Sequence, residues 1–153
     1  MDQELYSIIF SSATGNTKLL AETLHGALPR EECAYFGPWN RETPASPVVY
    51  VGFWTDKGNA DPDTLALLKE LRNKKVFLFG TAGFGESPAY FEKVLCAVRA
   101  ALDDSNQILG TFMCQGKMHS VHRSGKRVVV SVIKLITLRC HSGMSHDNIA
   151  VLV

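Results

Sequence analysis

The chain has 153 residues, 46% of them hydrophobic and 20% charged, with a formal net charge of +1. That length fits one domain able to bury roughly 68–70% of its unfolded surface, so no disulfide or metal is needed to staple it. The near-neutral balance gives no pull toward nucleic acid or an anionic membrane. The longest greasy stretch, 128-VVVSVIKLITL-138, carries Lys134 and is too short to span a bilayer.

The four cysteines (Cys33, Cys96, Cys114, Cys140) form no C-x-x-C pair, which excludes a zinc knuckle and a thioredoxin-type motif. They read as reduced thiols of a cytoplasmic protein. The acidic start, with Asp2 and Glu4, is unlike a signal peptide.

In chain order, residues 5–10 (LYSIIF) read as a buried strand and residues 18–28 as a helix ended by Pro29. A short second strand is expected at 33–36. The segment 37-GPWNRETPASP-47, with three prolines, reads as a loop. A third strand follows at 48–54, then a turn-rich loop, 55-TDKGNADPD-63. A helix is expected over 62–72, with Asp61 as its N-cap and Pro62 in its first position. The fourth strand is 75–79, and a Gly-rich loop, 80-GTAGFGESP-88, leads into a helix over 89–102. A fifth strand is expected at 108–114.

Continuous apolar strands alternating with amphipathic helices predict an α/β fold with a parallel sheet covered on both faces. The three loops of special composition follow the first, third and fourth strands. All three therefore belong to the carboxyl edge, where open doubly wound sheets bind ligands.

Between the first strand and first helix lies 11-SSATGNT-17. A helix N-terminus offers unpaired N–H groups and partial positive charge. Small residues let those amides approach a ligand, and the hydroxyls add donors, so this loop reads as a phosphate cradle. A well-capped turn with Thr14 or Asn16 as N-cap is the competing reading. The loop lacks the lysine of a Walker motif and has no G-x-G-x-x-G fingerprint. No Lys or Arg precedes Lys18, so neutral donors would do most of the holding, which suits a phosphate monoester.

S-x-T-G-N-T after a first strand resembles the flavodoxin signature. The resemblance covers residues 5 to about 118 and extends to 53-FWTDKG-58 and 80-GTAGFGESPAYF-91. The strings GFWTDKG, GTAGFG and CQGKM resemble a short flavodoxin-like subfamily associated with bile-pigment reductases. What the resemblance implies is a flavodoxin-like three-layer sandwich with a five-stranded parallel sheet in order 2-1-3-4-5, bound FMN, and electron transfer between redox partner proteins.

It implies that Ser11, Ser12, Thr14, Gly15, Asn16 and Thr17 hold the phosphate. Thr55, Asp56, Lys57 and Gly58 would lie in one flavin-ring loop, and Thr81, Ala82, Gly83 and Gly85 would bring amides to the flavin's polar edge. Trp54 is the candidate to stack on the ring, a core or interface role being the alternative. Phe84 and Tyr90 compete for the other ring face, Tyr90 being better placed to start the helix. The turn 56-DKGN-59 is expected to switch between type I and type II by a flip of the Lys57–Gly58 peptide. Cys114 reads as a small buried residue, since nothing cationic adjoins it to make a redox thiol.

The last part departs from the family. Residues 1–118 carry 11 Lys and Arg against 14 Asp and Glu; residues 119–153 carry 5 against 1, with four of the five histidines. A domain over 1–118 followed by an atypical basic tail, 119–153, is expected. An extra strand pair, a partner-binding tail and an altered reading frame are three accounts of it. The histidine spacings form no compact ligand set, so no metal is expected.

No acid–base or nucleophile set is visible, which reads as an electron carrier, monomeric or weakly dimeric. The alternatives are an FMN-dependent NAD(P)H:quinone-type reductase and a non-redox binding module on the same fold.

Overall fold

The computed structural model describes residues 4–83, 87–115 and 149–150. β1 (Tyr6–Phe10) is buried along its whole length. α1 (Asn16–Ala27), a 3₁₀ turn at Arg30–Glu32 and β2 (Cys33–Gly37) follow. Then come β3 (Val48–Asp56), β4 (Asn59–Ala60), α2 (Pro62–Glu70), β5 (Lys75–Ala82), α3 (Pro88–Arg99), β6 (Gln107–Gln115) and β7 (Ile149–Ala150).

The parallel strands stand in the order β2-β1-β3-β5-β6-β7, with β4 antiparallel on the end of β3. The five expected strands therefore lie in the expected 2-1-3-4-5 order. One further strand was not foreseen, and another falls in the tail, where an extra strand pair was one of three accounts. β4 turns the loop expected at 55–63 into a hairpin, and β7 adds a sixth parallel strand, pairing Ile149 with Phe112 and Ala150 with Met113. The boundary expected after Met118, and the tail apart from β7, lie outside the described residues.

Period-two alternation sorts the strand side chains to two faces. On one face Leu20, Ala21 and Leu24 of α1 pack on Ile8, Phe10, Tyr50, Phe79 and Phe112. On the other, Leu67 and Leu68 of α2 and Phe91, Val94, Leu95 and Val98 of α3 cover Ile9, Val49, Val51, Phe53 and Leu78. Helices on both faces make the three layers.

The two central strands interlock just below the carboxyl edge. Gly52 pairs with Phe79 and Phe53 with Gly80. A Cβ at Gly52 would come within 2.4 Å of the Phe79 ring, and one at Gly80 within 2.3 Å of the Phe53 ring. Each glycine thus makes room for the other strand's phenylalanine, one on each face.

α2 starts as its sequence directs. Asp61, 2% exposed, accepts the Thr64 N–H at 3.2 Å and the Thr64 hydroxyl at 2.7 Å, and Pro62 takes the first turn. α3 begins at Pro88 after Ser87, whose Oγ accepts the Tyr90 N–H at 3.2 Å. α1 begins two residues earlier than its apolar spacing suggested, because the apolar face starts later than the hydrogen bonding does.

Candidate functional site

The β1–β3 ladder continues one residue past β1, with the Ser11 N–H donating to the Gly52 carbonyl at 2.9 Å. The chain then leaves the sheet. The Ser12 Oγ accepts from the Gly15 N–H at 3.0 Å and the Lys18 N–H at 3.3 Å. Gly15 is the N-cap of α1, at φ 95° and ψ −8°. A Cβ there would meet nothing within 4 Å, so backbone conformation rather than space asks for glycine.

This corrects the caps named in the competing reading. Neither Thr14 nor Asn16 caps the helix; Gly15 occupies that position and Ser12 satisfies the amides. Asn16 instead donates its side-chain amide to the Thr14 Oγ1 at 3.1 Å. The first bond closing α1 runs from the Leu19 N–H to the Gly15 carbonyl at 3.0 Å. No acidic residue of its own first turn offsets the positive end of α1. Lys18, in the same turn, lies 4.0 Å from Glu22.

Beneath this loop the start of α1 and the ends of β3 and β5 are tied by hydroxyls. The Thr17 Oγ1 lies 3.0 Å from the Thr81 Oγ1 and donates to the Phe53 carbonyl at 3.3 Å. The Thr55 hydroxyl donates to the Thr81 carbonyl at 2.8 Å. Thr17 and Thr81 are buried at 1% and 4% exposure, so the side chain of Thr17 faces inward while its amide opens the helix.

At the end of β3, Trp54 is half-buried and stands beside Thr81 in register. Its carbonyl accepts the Asp61 N–H at 3.1 Å, and Thr55 and Asp56 pair with Ala60 and Asn59. The turn between them places Lys57 at φ 52° and Gly58 at φ 80°. Two left-handed central residues make this a type I′ turn, the form that matches strand twist in a two-residue hairpin. It is neither of the two forms expected from the sequence.

Thr81 and Ala82 are buried and Gly83 is exposed. Phe84 and Gly85 lie outside the described residues. Tyr90 sits half-buried in the first turn of α3, its ring 6.3 Å from Phe91, as a support for the helix start. Cys114 is buried, and burial pushes its thiol up to about 12, which removes it from thiolate chemistry near neutral pH.

The sequence reading passed over one group. A cavity of about 410 Å³ opens beside Ser11 and Ser12, between the loop after β2 and α2, with Trp39, Arg41 and Lys18 on its walls. The signal was present in 38-PWNR-41, an aromatic and a cation in a loop otherwise read as proline-rich filler. Among the described residues no group of His, Cys, Asp and Glu is placed to hold a metal, and no helix is long and apolar enough to cross a membrane.

A family profile described as a flavodoxin domain matches residues 7–127. The flavodoxin-like domain-containing protein BilS of Clostridium symbiosum is 42% identical over 170 residues, spanning 94% of this chain and 87% of that one. BilS of Clostridioides difficile is 32% identical over 115 residues, spanning 72% of this chain and 65% of that one. Among solved structures, a Fusobacterium nucleatum flavodoxin variant bound to flavin mononucleotide superposes with a TM-score of 0.60 at 16% identity, covering 92% of this chain and 97% of that one. At that identity the likeness concerns the fold.

Proposed function

The chain belongs to the flavodoxin family, and from that premise we propose that it binds FMN at the carboxyl edge and carries electrons between protein partners. The observation that carries this reading is the opening of α1. Gly15 in the left-handed region, Ser12 folded under the loop to hold the Gly15 and Lys18 amides, and an acid-free first turn leave the Asn16 and Thr17 amides and the Thr14 hydroxyl as neutral donors at the positively polarised end of α1. That donor set fits a phosphate monoester.

In this reading Ser11, Ser12, Thr14, Gly15, Asn16 and Thr17 surround the phosphate, Thr17 through its amide. Trp54 packs against one side of the ring, with Phe84 or Tyr90 on the other. Thr55, Asp56, Lys57 and Gly58 border it from the hairpin, and Thr81, Ala82, Gly83 and Gly85 bring backbone amides to its polar edge. FMN, when bound, supplies the one- and two-electron chemistry. The chain's own residues bind it, orient it and exclude water. The hydroxyl ties among Thr17, Thr55 and Thr81 fix the three loops relative to one another, so a ligand spanning them meets a preformed edge.

The proposed partners are redox proteins, with a reductase of the bile-pigment class as the first acceptor to try. The test is the visible spectrum of the purified protein with mass analysis of heat-released cofactor. Stoichiometric FMN is expected. FAD, or no flavin after reconstitution, overturns the reading. Sustained NAD(P)H oxidation by the isolated protein would replace the carrier role with that of a self-sufficient reductase.

A further inference from the structure

We propose that the cavity between the loop after β2 and the start of α2 is a second ligand site, taking a small aromatic anion. No helix covers β1 and β3 between β2 and β3; residues 38–47 cross as a loop, and the space beside them stays open. Its floor is apolar, from Ile9, Val51 and Leu67, and Trp39 forms a wall. Its mouth is polar and carries Lys18 and Arg41 against one carboxylate, Asp63. An apolar interior with few polar groups at one end is the ordinary make-up of a small-molecule site, and about 410 Å³ is within the usual range.

The wall is built. The Trp39 indole N–H donates to the Glu42 carbonyl at 3.1 Å, and the Glu42 N–H donates to the Asn40 Oδ1 at 3.0 Å. Arg41 lies at φ 67°, a left-handed conformation that an arginine adopts only when its surroundings impose it. The result sets the Arg41 guanidinium 4.7 Å from the Trp39 ring centroid and 2.9 Å from the Asp63 Oδ1.

The charges at the mouth are loosely held. Arg41 and Asp63 are 64% and 65% exposed, and an ion pair so exposed is worth little. Lys18 and Glu22 only just meet, at 4.0 Å. An anion whose planar body enters the cavity can therefore draw both cations to its carboxylate or phosphate. Ser11 and Ser12 belong both to this cavity and to the loop before α1. The site itself does not depend on the flavin reading.

The test is calorimetric titration of the full chain with 2-naphthoate and with the uncharged 2-naphthamide. The acid is expected to bind at least about tenfold tighter than the amide, as loss of a charge-assisted contact implies. Arg41→Gln should weaken the acid about tenfold and leave flavin binding unchanged. Asp63→Asn, which frees Arg41 from its carboxylate, should tighten the acid severalfold. Equal binding of acid and amide, no response to Arg41→Gln, or weaker binding in Asp63→Asn overturns the proposal. A protein that binds naphthoate in this pattern but takes up no flavin refutes the FMN reading and leaves this one standing.

Discussion

Residues 11–17 and residues 54–61 leave the sheet at adjacent strands, β1 and β3, and both turn the chain above the same edge. The first segment turns with one left-handed glycine and one serine, and Ala13, Thr14 and Gly15 are exposed. The second closes on itself: two strand pairs, a type I′ turn, and Asp61 buried against Thr64. One leaves donors facing outward; the other satisfies its polar groups internally. In the proposed FMN site both segments border the ligand, but the first offers it open backbone and the second a closed hairpin. The contrast makes a checkable division: changes in the hairpin should show in stability, and changes in the cradle should show in affinity.

The largest effect is expected at Asp61. Asp61→Ala removes an N-cap, worth about 0.5–2 kcal/mol, and leaves a buried Thr64 hydroxyl without its acceptor, worth about 1–3 kcal/mol. A loss of about 3 kcal/mol is expected in urea unfolding. Adding Thr64→Ala should recover part of it, because the orphaned hydroxyl is then gone. A loss below about 0.5 kcal/mol would mean that the hairpin is held by something other than its cap.

Thr14 supplies the opposite case. Its side chain is exposed and bonded only to Asn16, so Thr14→Ala should leave unfolding unchanged. If its hydroxyl meets a phosphate dianion, the loss is about 1.5–3 kcal/mol, and FMN should bind roughly tenfold to a hundredfold more weakly. Ser12→Ala should do both: about 1 kcal/mol of stability through lost capping, and weaker FMN because the loop loses its shape. Unchanged affinity in both variants would move the phosphate elsewhere and erase the division.

The turn into α1 was legible because its chemistry is local. Gly15, the hydroxyl residues and the following helical spacing are contiguous, and capping operates over three or four residues. The parallel sheet was legible because apolar runs and helices alternate, and its 2-1-3-4-5 order came from the resemblance to flavodoxins. The hairpin was not, since Asp56, Lys57, Gly58 and Asn59 are turn formers and four paired residues are too few to show alternation. Whether such a stretch becomes loop or ladder depends on the Asp61 N–H reaching back to the Trp54 carbonyl, a bond no local pattern encodes. The inward turn of Thr17 was hidden for the same reason, because Thr81, its partner, lies 64 residues away. The cavity beside Trp39 was not legible either, since reading 37–47 as a loop does not say what space it leaves beside β1 and β3.

The smallest expected effect decides the turn itself, and it decides by sign. In the type I′ form Lys57 sits at φ 52°, where a side chain is penalised by roughly 1 kcal/mol relative to glycine. Lys57→Gly should therefore raise stability, by about 0.5 kcal/mol once glycine's greater unfolded-state entropy is subtracted. In a type I or type II turn the same residue would sit near φ −60°, and the substitution would lower stability by about 0.4–1 kcal/mol. The two geometries predict opposite shifts of the urea midpoint. Gly58→Ala is less informative, since type I′ and type II both need a left-handed residue there. The sign also bears on redox behaviour. Flipping the central peptide of a type I′ turn gives type II′, which keeps φ positive at Lys57 and carries its ψ into a region suited to glycine. The lysine thus opposes the flip, whereas the type I to type II exchange read from the sequence would not involve it. If Lys57→Gly stabilises the apoprotein and also moves the first one-electron potential of the bound flavin, the lysine is what keeps the turn from flipping. If it destabilises, the hairpin turn is of the type the sequence suggested, and the division between a closed frame and an open cradle fails at this residue.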